Sequence, residues 1–250
     1  MDVELRVAAG SDTGKVRERN EDSYLVGKRV WAIADGMGGQ AAGATASRIA
    51  VACLAEYDRT GTMGHAHIST LLAQINDKIL EYAVEHPSAA GLGTTVAGMA
   101  WMDLAGQAHW LVFNIGDSRV YRMTDEGLVQ ETTDHSEAQI LVELGRIHPD
   151  QARTHPTRHM LTRSLGSAPT PQAGMRLVPC VPGERMLICS DGLTGEVDDR
   201  AIESVLRTVT DVHEAVDTLI AMALAQGGRD NVSAILVDID ALDPAAESAH

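Results

Sequence analysis

Residues 30–39 read VWAIADGMGG, an unbroken apolar run that ends in an aspartate and a glycine-rich segment. Such a run predicts a buried β-strand, and Asp35 lies at its end, where loops tend to carry function. A strand-like run beside an aspartate recurs three more times along the chain. The three aspartates are Asp117 after residues 110–115, Asp191 after residues 186–189, and Asp230 before residues 232–239.

The four aspartates can act together only if the tertiary structure brings these strand ends to one place. Two anionic charges about 4 Å apart repel by about 4 kcal/mol at an effective dielectric constant near 20. A cluster of carboxylates therefore needs cations beside it, and hard oxygen ligands favour Mg²⁺ or Mn²⁺. The sequence thus predicts a metal centre, provided that the strands share a sheet.

The composition predicts a soluble, cytoplasmic protein with a full hydrophobic core. Of the 250 residues, 44% are hydrophobic but only 3% are aromatic, so aliphatic side chains must fill that core. The formal net charge of −15 argues against nucleic acid or an anionic membrane as a general partner. Three cysteines without metal-like spacing indicate free thiols, and the sequence shows neither a membrane-spanning run nor a signal-peptide pattern.

Hydrophobic periodicity predicts helix pairs layered over antiparallel sheets. Short strand-like runs joined by tight turns, as in residues 94–123, favour antiparallel pairing. No linker divides the chain, so we expect a single α+β domain over residues 1–240 and a disordered tail over residues 241–250. The predicted helices of the two pairs cover residues 41–57 and 69–85, then residues 199–209 and 212–225.

Eight short motifs follow one another along the chain. They are RERNED at 17–22, ADGMGG at 34–39, GTT at 93–95, GDSR at 116–119, TDHS at 133–136, LG at 165–166, SDG at 190–192 and DN at 230–231. Any one of them is weak, because Asp-Gly by itself usually marks a turn. In this order they resemble the metal-dependent protein phosphatases, the PPM or type 2C family, in its bacterial branch, over residues 8–237.

The resemblance implies a four-layer α-β-β-α sandwich, with two antiparallel sheets flanked by helix pairs. It also implies hydrolysis of phosphoserine and phosphothreonine in proteins by a water activated between two Mn²⁺ or Mg²⁺ ions, with a third, weaker metal site. The implied partners are phosphorylated proteins and a Ser/Thr protein kinase whose action is reversed, and we expect a monomer. The alternative is a catalytically weak phosphoprotein-binding scaffold, but such proteins usually lose a metal carboxylate, and Asp35, Asp191 and Asp230 are all present.

The resemblance also implies roles for individual residues. Asp35 matches the catalytic carboxylate that bridges both metals, and Gly36 matches a residue whose backbone oxygen is a ligand, where no Cβ blocks the ion. The other implied metal residues are Asp191 and Asp230 on the second metal, Glu21 through a metal-bound water, Asp22 beside it, and Asp117 at the third site. The alternative role for Asp117 is a capping aspartate in a turn. The alternative for the acidic pair at 21–22 is a solvated loop.

Arginines are implied to bind the substrate. Arg17 matches the arginine that grips the phosphate, because a guanidinium offers two parallel N–H bonds to phosphate oxygens. A salt bridge from Arg17 to Glu21 is the alternative. Residues 145–167 match the mobile flap of the family and form a cationic strip, with Arg153 and Arg158, that can attract a phosphorylated segment. The alternative for this strip is a charge-balanced surface loop.

Overall fold

The computed structural model describes residues 3–38, 42–60 and 64–242, and these residues form two β-sheets between helices. All the strand pairings are antiparallel. One sheet has the strand order β1-β11-β10-β7-β8, and the other has β2-β3-β5-β6-β9 with β4 paired to β3. The strands are β1 (Val3–Asp12), β2 (Asp22–Val26), β3 (Val30–Met37), β4 (Gly93–Thr94), β5 (Val96–Leu104), β6 (Gln107–Ile115), β7 (Arg119–Thr124), β8 (Gly127–Gln130), β9 (Gly174–Pro179), β10 (Arg185–Cys189) and β11 (Val232–Leu242).

Two pairs of long helices cover the outer faces of the sheets. The pair α1 and α2 packs on the sheet that contains β3, through residues such as Leu54 and Ile75. The pair α6 and α7 packs on the other sheet, through residues such as Ile202 and Leu219. The helices are α1 (Ala42–Thr60), α2 (His65–Glu85), α3 (Glu137–Glu143), α4 (Pro149–Ala152), α5 (Asp191–Thr194), α6 (Asp199–Thr208) and α7 (Val212–Gln226).

Strand β3 shows why its sequence is apolar without interruption. Successive side chains of a strand point to opposite faces. Val30, Ala32 and Ala34 therefore face the helices, whereas Trp31 and Ile33 face the other sheet. Both faces of the strand are buried, so no position in the run tolerates a polar side chain.

A third hydrophobic cluster lies between the two sheets, in addition to the two clusters under the helix pairs. Its centre is the edge-to-face pair of Trp31 and Trp110, whose ring centroids are 5.5 Å apart. Ile188 of β10 and Ile235 of β11 pack in the same cluster from the opposite sheet. The four layers are therefore α-β-β-α, which confirms the predicted fold class and architecture.

The structure changes several predicted boundaries. Helix α2 begins at His65, four residues before the predicted start, and α1 ends at Thr60, three residues after the predicted end. Strand β11 extends through Leu242, two residues into the predicted tail, because its last residues pair with the start of β1. Residues 243–250 lie outside the described residues. No described helix is both long enough and apolar enough to cross a bilayer.

Candidate metal and catalytic site

A cleft of about 1170 Å³ opens where the aspartate-bearing ends of β3, β6, β10 and β11 meet. The strands belong to both sheets, so the cleft lies between the sheets rather than at the edge of one. Asp22 and Arg153 are not among the lining residues. The residues of the predicted site that do line it are Arg17, Glu21, Asp35, Gly36, Asp117, Arg158, Asp191 and Asp230.

Asp35 is fixed in the cleft by its own backbone. Its N–H donates to Thr95 Oγ1 at 3.1 Å, and its carbonyl accepts from Thr95 N–H at 2.9 Å and from Thr94 Oγ1 at 2.9 Å. A Cβ on Gly36 would collide with the carbonyl oxygens of Gly43 and Glu21. Only glycine therefore allows the chain to pass here, and the carboxylate of Asp35 is held in one place.

Asp22 lies behind the cleft and ties the two sheets together. It sits opposite Asp35 in the β2–β3 register. Its Oδ2 accepts hydrogen bonds from Ser190 Oγ at 2.8 Å, just after β10 of the other sheet, and from Ser233 Oγ at 2.7 Å, on β11 of that sheet. Its Oδ1 is buried and has no hydrogen-bond partner among the described residues. Burial raises the pKa of Asp22 to about 7, although the two serine hydrogen bonds oppose this shift.

Negative charge is concentrated around Asp35 and Asp117. Burial, and then the neighbouring carboxylates of Asp22 and Asp191, raise the pKa of Asp35 well above its usual range. Burial and the carboxylate of Asp191 do the same for Asp117. Asp191 Oδ1 is also buried without a partner in the described part of the chain. Unpaired buried carboxylate oxygens from two sheets form a donor set suited to hard divalent cations.

A second group of donors lies at the flap side of the cleft. One ligand atom each from Asp117, His159 and Asp191 lie within 4.8 Å of one another. His159 belongs to the flap, and its Nδ1 is 3.3 Å from Asp191 Oδ2. The group joins the predicted third-site carboxylate to a histidine that sequence analysis did not single out.

The loop that carries Arg17 is clamped to the loop before β11. Asn231 Oδ1 accepts from Glu21 N–H at 2.8 Å, and Asn231 Nδ2 donates to the carbonyls of Thr13 and Arg19 at 2.9 Å each. Arg17 Nη2 donates to Asp230 Oδ2 at 2.8 Å. Arg17 is therefore paired with Asp230, and the alternative salt bridge to Glu21 is not formed.

The two flap arginines assigned to substrate binding lie in different places. Arg158 lines the main cleft beside His159. Arg153 lines an adjoining cleft of about 580 Å³ between the flap and α6, and its Nη1 donates to the carbonyl of Val197 at 3.3 Å. Arg158, Asp117 and Asp191 line both clefts, whereas Arg153 lines only the adjoining one.

Comparison with known proteins decides the family. Residues 10–236 match the model of a family described as protein phosphatase 2C. The chain belongs to this family. This match confirms the resemblance drawn from the eight motifs. In this protein phosphatase 2C chain, strands of both sheets form the cleft described above.

Individual relatives of this protein phosphatase 2C chain are bacterial. It is 40% identical to the serine/threonine protein phosphatase PstP of Mycobacterium tuberculosis, over 94% of this chain but 45% of PstP. The chain thus spans about half the length of that relative. It is 32% identical to the serine/threonine phosphatase stp of Listeria monocytogenes, over 92% of this chain and 94% of stp.

Solved structures show the same fold. A crystal structure of PstP superposes with a TM-score of 0.86 at 39% identity, covering 95% of this chain and 99% of that one. Another, of the PstP catalytic domain in complex with two manganese ions, gives a TM-score of 0.83 at 38% identity, covering 95% and 99%.

Several residues of the phosphatase 2C cleft were missed by sequence analysis. Thr95, Ser190 and Asn231 belong to motifs that it recognised, but it assigned them no role. For Ser190 and Asn231, the position next to an assigned aspartate is the signal that was available. His159 and Ser233 carry no such signal, since nothing local separates them from other flap histidines or strand serines.

Proposed function

We propose that the chain is a protein-serine/threonine phosphatase that uses Mn²⁺ or Mg²⁺ to hydrolyse phosphoserine and phosphothreonine in proteins. The observation that carries the proposal is the convergence of carboxylates from both sheets on one cleft, beside the guanidinium of Arg17. The printed names of the relatives, serine/threonine phosphatases, support the same activity.

Two metal ions are held by residues at the strand ends. The ligands we propose are the carboxylate of Asp35 and the backbone oxygen of Gly36, with Asp191 and Asp230 completing the pair of sites. Glu21 contributes through a bound water. Asp22 offers only its Oδ1, because two serines already occupy its Oδ2. The manganese complex of the PstP catalytic domain supports two ions in this cleft.

A third, weaker site is formed by Asp117, Asp191 and His159. Support comes from the proximity of their ligand atoms and from the two carboxylates, whose oxygens suit Mn²⁺. His159 would extend the assigned ligands with a residue from the flap. The backbone hydrogen bond that the Asp117 carboxylate receives comes from Asp117 itself and not from a later residue of the turn, so the carboxylate does not act as a turn cap.

Bound divalent ions supply Lewis acidity, which lowers the pKa of water towards neutrality and offsets phosphoryl charge. The residues of the chain do the rest. Asp35, pinned through Thr94 and Thr95, keeps the donor set in place without rearrangement. Arg17 binds the phosphate oxygens of the substrate, and a planar guanidinium does so with two parallel N–H bonds. Arg158 at the rim attracts acidic groups flanking the phosphorylated residue.

Substrates and setting follow from the same chemistry. A cleft of about 1170 Å³ has room for a polypeptide segment, and we propose phosphorylated proteins as the substrate class. The phosphatase would reverse a Ser/Thr protein kinase. We expect it to act as a monomer. Cys53, Cys180 and Cys189 are free thiols, the state expected in the cytoplasm.

Metal-dependent turnover tests the proposal. The purified chain should hydrolyse p-nitrophenyl phosphate and a phosphothreonine peptide with Mn²⁺, and EDTA should abolish both reactions. Asp35→Asn keeps the size of the side chain but removes its charge, and it should lower kcat at least about 100-fold. Asp217→Asn, on an exposed face of α7, is the matched control and should leave kcat unchanged. Full turnover in chelator would overturn the proposal.

A further inference from the structure

His135 lies against the turn that carries Asp117. Its ring Nδ1 accepts a hydrogen bond from the backbone N–H of Gly116 at 3.1 Å. Its own backbone N–H donates to the carbonyl of Gly116 at 2.9 Å. One buried residue therefore holds both peptide groups of the glycine that immediately precedes Asp117.

The conformation at this position requires glycine. Its φ is 107°, which L side chains rarely adopt, and a Cβ would lie 2.6 Å from Thr95 Cβ. The orientation of this peptide determines where the next side chain points. Asp117 is buried, and its carboxylate lies beside the carboxylate of Asp191 and the imidazole of His159 rather than in solvent.

The opposite side of His135 holds the end of the flap. Its carbonyl accepts from Thr162 N–H at 2.8 Å, and its Nε2 is 3.2 Å from Arg163 Nη1. Arg163 Nη1 also donates to the carbonyl of Gln172 at 2.9 Å, beyond the flap. His135 is thus bonded to the Asp117 turn on one side and to the segment just after His159 on the other.

The hydrogen bonds define the state of the ring. A backbone N–H can only donate, so Nδ1 must be unprotonated and the imidazole neutral. Burial and the charge of Arg163 lower the pKa of His135 to about 4. Nδ1 is therefore a hydrogen-bond acceptor throughout the neutral range, and the ring proton lies on Nε2, which makes a contact and not a hydrogen bond with the donor Arg163 Nη1.

We propose that His135 is a positioning residue that locks the Gly116 peptide and joins it to the flap, so that Asp117 and His159 keep their places around Asp191. The inference rests on the proposed function, since it concerns the weaker metal site. Its specific claim is that the Nδ1 bond to Gly116, and not the volume of the ring, maintains that site.

Three substitutions separate these contributions. In His135→Asn the amide oxygen can take the place of Nδ1 and accept from Gly116 N–H. In His135→Gln the longer side chain reaches the place of Nε2 and retains only the contact with Arg163. His135→Phe keeps the ring volume and loses both contacts. His109→Gln, at a half-buried position near the start of β6, is a control for histidine loss elsewhere.

The experiment combines exchange, metal binding and kinetics. Hydrogen exchange of the Gly116 amide by NMR reports the bond directly. Calorimetric titration of the metal-depleted protein with Mn²⁺ reports the weak site, with Asp117→Ala as the reference for its loss. Steady-state rates on a phosphothreonine peptide give kcat and KM, and the melting temperature of each variant reports folding.

We expect His135→Asn to keep Gly116 protected, with kcat and weak Mn²⁺ binding within about threefold of the unaltered chain. His135→Gln should expose the Gly116 amide, weaken the last Mn²⁺ step at least tenfold and lower kcat at least tenfold, with KM changed less. His135→Phe should match His135→Gln; if it does not fold, the comparison of Asn with Gln decides.

Two results would overturn the inference. One is equal impairment of His135→Asn and His135→Gln, which would show that the acceptor at Nδ1 is not what matters. The other is full weak-site binding in His135→Gln with an exposed Gly116 amide. Absence of Mn²⁺ binding and turnover in the unaltered chain would instead overturn the proposed function, and the inference with it.

Discussion

The guanidinium of Arg17 is bonded to the carboxylate of Asp230, with 2.8 Å between Nη2 and Oδ2. The arginine assigned to the substrate is thus paired with an aspartate assigned to a metal. This hydrogen bond and the attraction of Asp230 raise the pKa of Arg17, against a smaller opposing effect of burial. Arg17 must therefore share or exchange its partner when it binds a phosphate group.

Replacement of Arg17 should separate substrate affinity from metal affinity. Arg17→Ala should raise KM for a phosphothreonine peptide at least tenfold, because two charge-assisted hydrogen bonds to phosphate are lost. Mn²⁺ affinity should stay the same or rise by up to about fivefold, since an exposed pair contributes up to about 1 kcal/mol. Arg17→Lys keeps the positive charge. It should also raise KM for the phosphothreonine peptide, and it should change Mn²⁺ affinity less than Arg17→Ala does. A clear weakening of Mn²⁺ binding would contradict this pairing.

Asn231→Asp should disturb the Arg17 loop without removing a ligand. The change places a carboxylate oxygen against the carbonyls of Thr13 and Arg19, where an amide donor stood. We expect the free energy of unfolding to fall by about 1–3 kcal/mol, the cost of buried polar groups left unsatisfied. KM should rise more than kcat falls. In an Arg17→Ala background the effect on KM should largely disappear; if the two effects simply add, Asn231 does not act through Arg17.

Asp22 predicts an unusual pH dependence of stability in the metal-free protein. Its pKa in the folded protein is about 7, above the unfolded value near 3.8. The folded state thus binds the extra proton, so its contribution to stability is fully present below the unfolded pKa and is lost as pH rises through about 7. Asp22→Asn does not titrate, and it keeps an oxygen for Ser190 and Ser233. The melting temperature of Asp22→Asn, relative to that of the unaltered chain, should therefore increase by several degrees between pH 5 and pH 8.

Thermal melts at fixed ionic strength measure this difference. Asp217→Asn is the control for removal of one carboxylate, and its difference from the unaltered chain should not change with pH. Saturating Mn²⁺ should reduce the advantage of Asp22→Asn at pH 8, since the cations offset the carboxylate charge. A pH-independent difference for Asp22→Asn would mean that this group does not take up the proton.

The two flap arginines should behave differently. Arg158→Ala should raise KM for a phosphorylated protein about threefold to tenfold more than KM for p-nitrophenyl phosphate, because the small ester lacks flanking acidic groups. Arg153→Ala should change both values alike and by less, because Arg153 bonds to Val197 outside the main cleft. Parallel steady-state measurements on the two substrates decide the matter. Equal shifts for Arg158→Ala would assign that arginine a structural role.

Local sequence determined the main helices and strands, and it showed which aspartates lie at strand ends. The run at residues 30–34 is buried on both faces, and its apolar character alone predicted the strand. Helical periodicity found both helix pairs, although the structure moves their ends by up to four residues. Ends are less predictable because capping depends on contacts outside the helix. Arg17, Glu21, Asp35 and Asp191 were singled out because they lie in recognisable motifs.

Tertiary structure alone decided which of these residues meet. Asp22 and Ser233 are 211 residues apart, and their hydrogen bond exists only because the sheets pack face to face. The partner of Arg17 is Asp230 rather than the nearer Glu21, since the loop before β11 returns to this edge. His135 reaches Gly116 through a turn whose left-handed backbone no local pattern reveals. Such contacts join segments far apart in the chain, so residue spacing alone could not have given them.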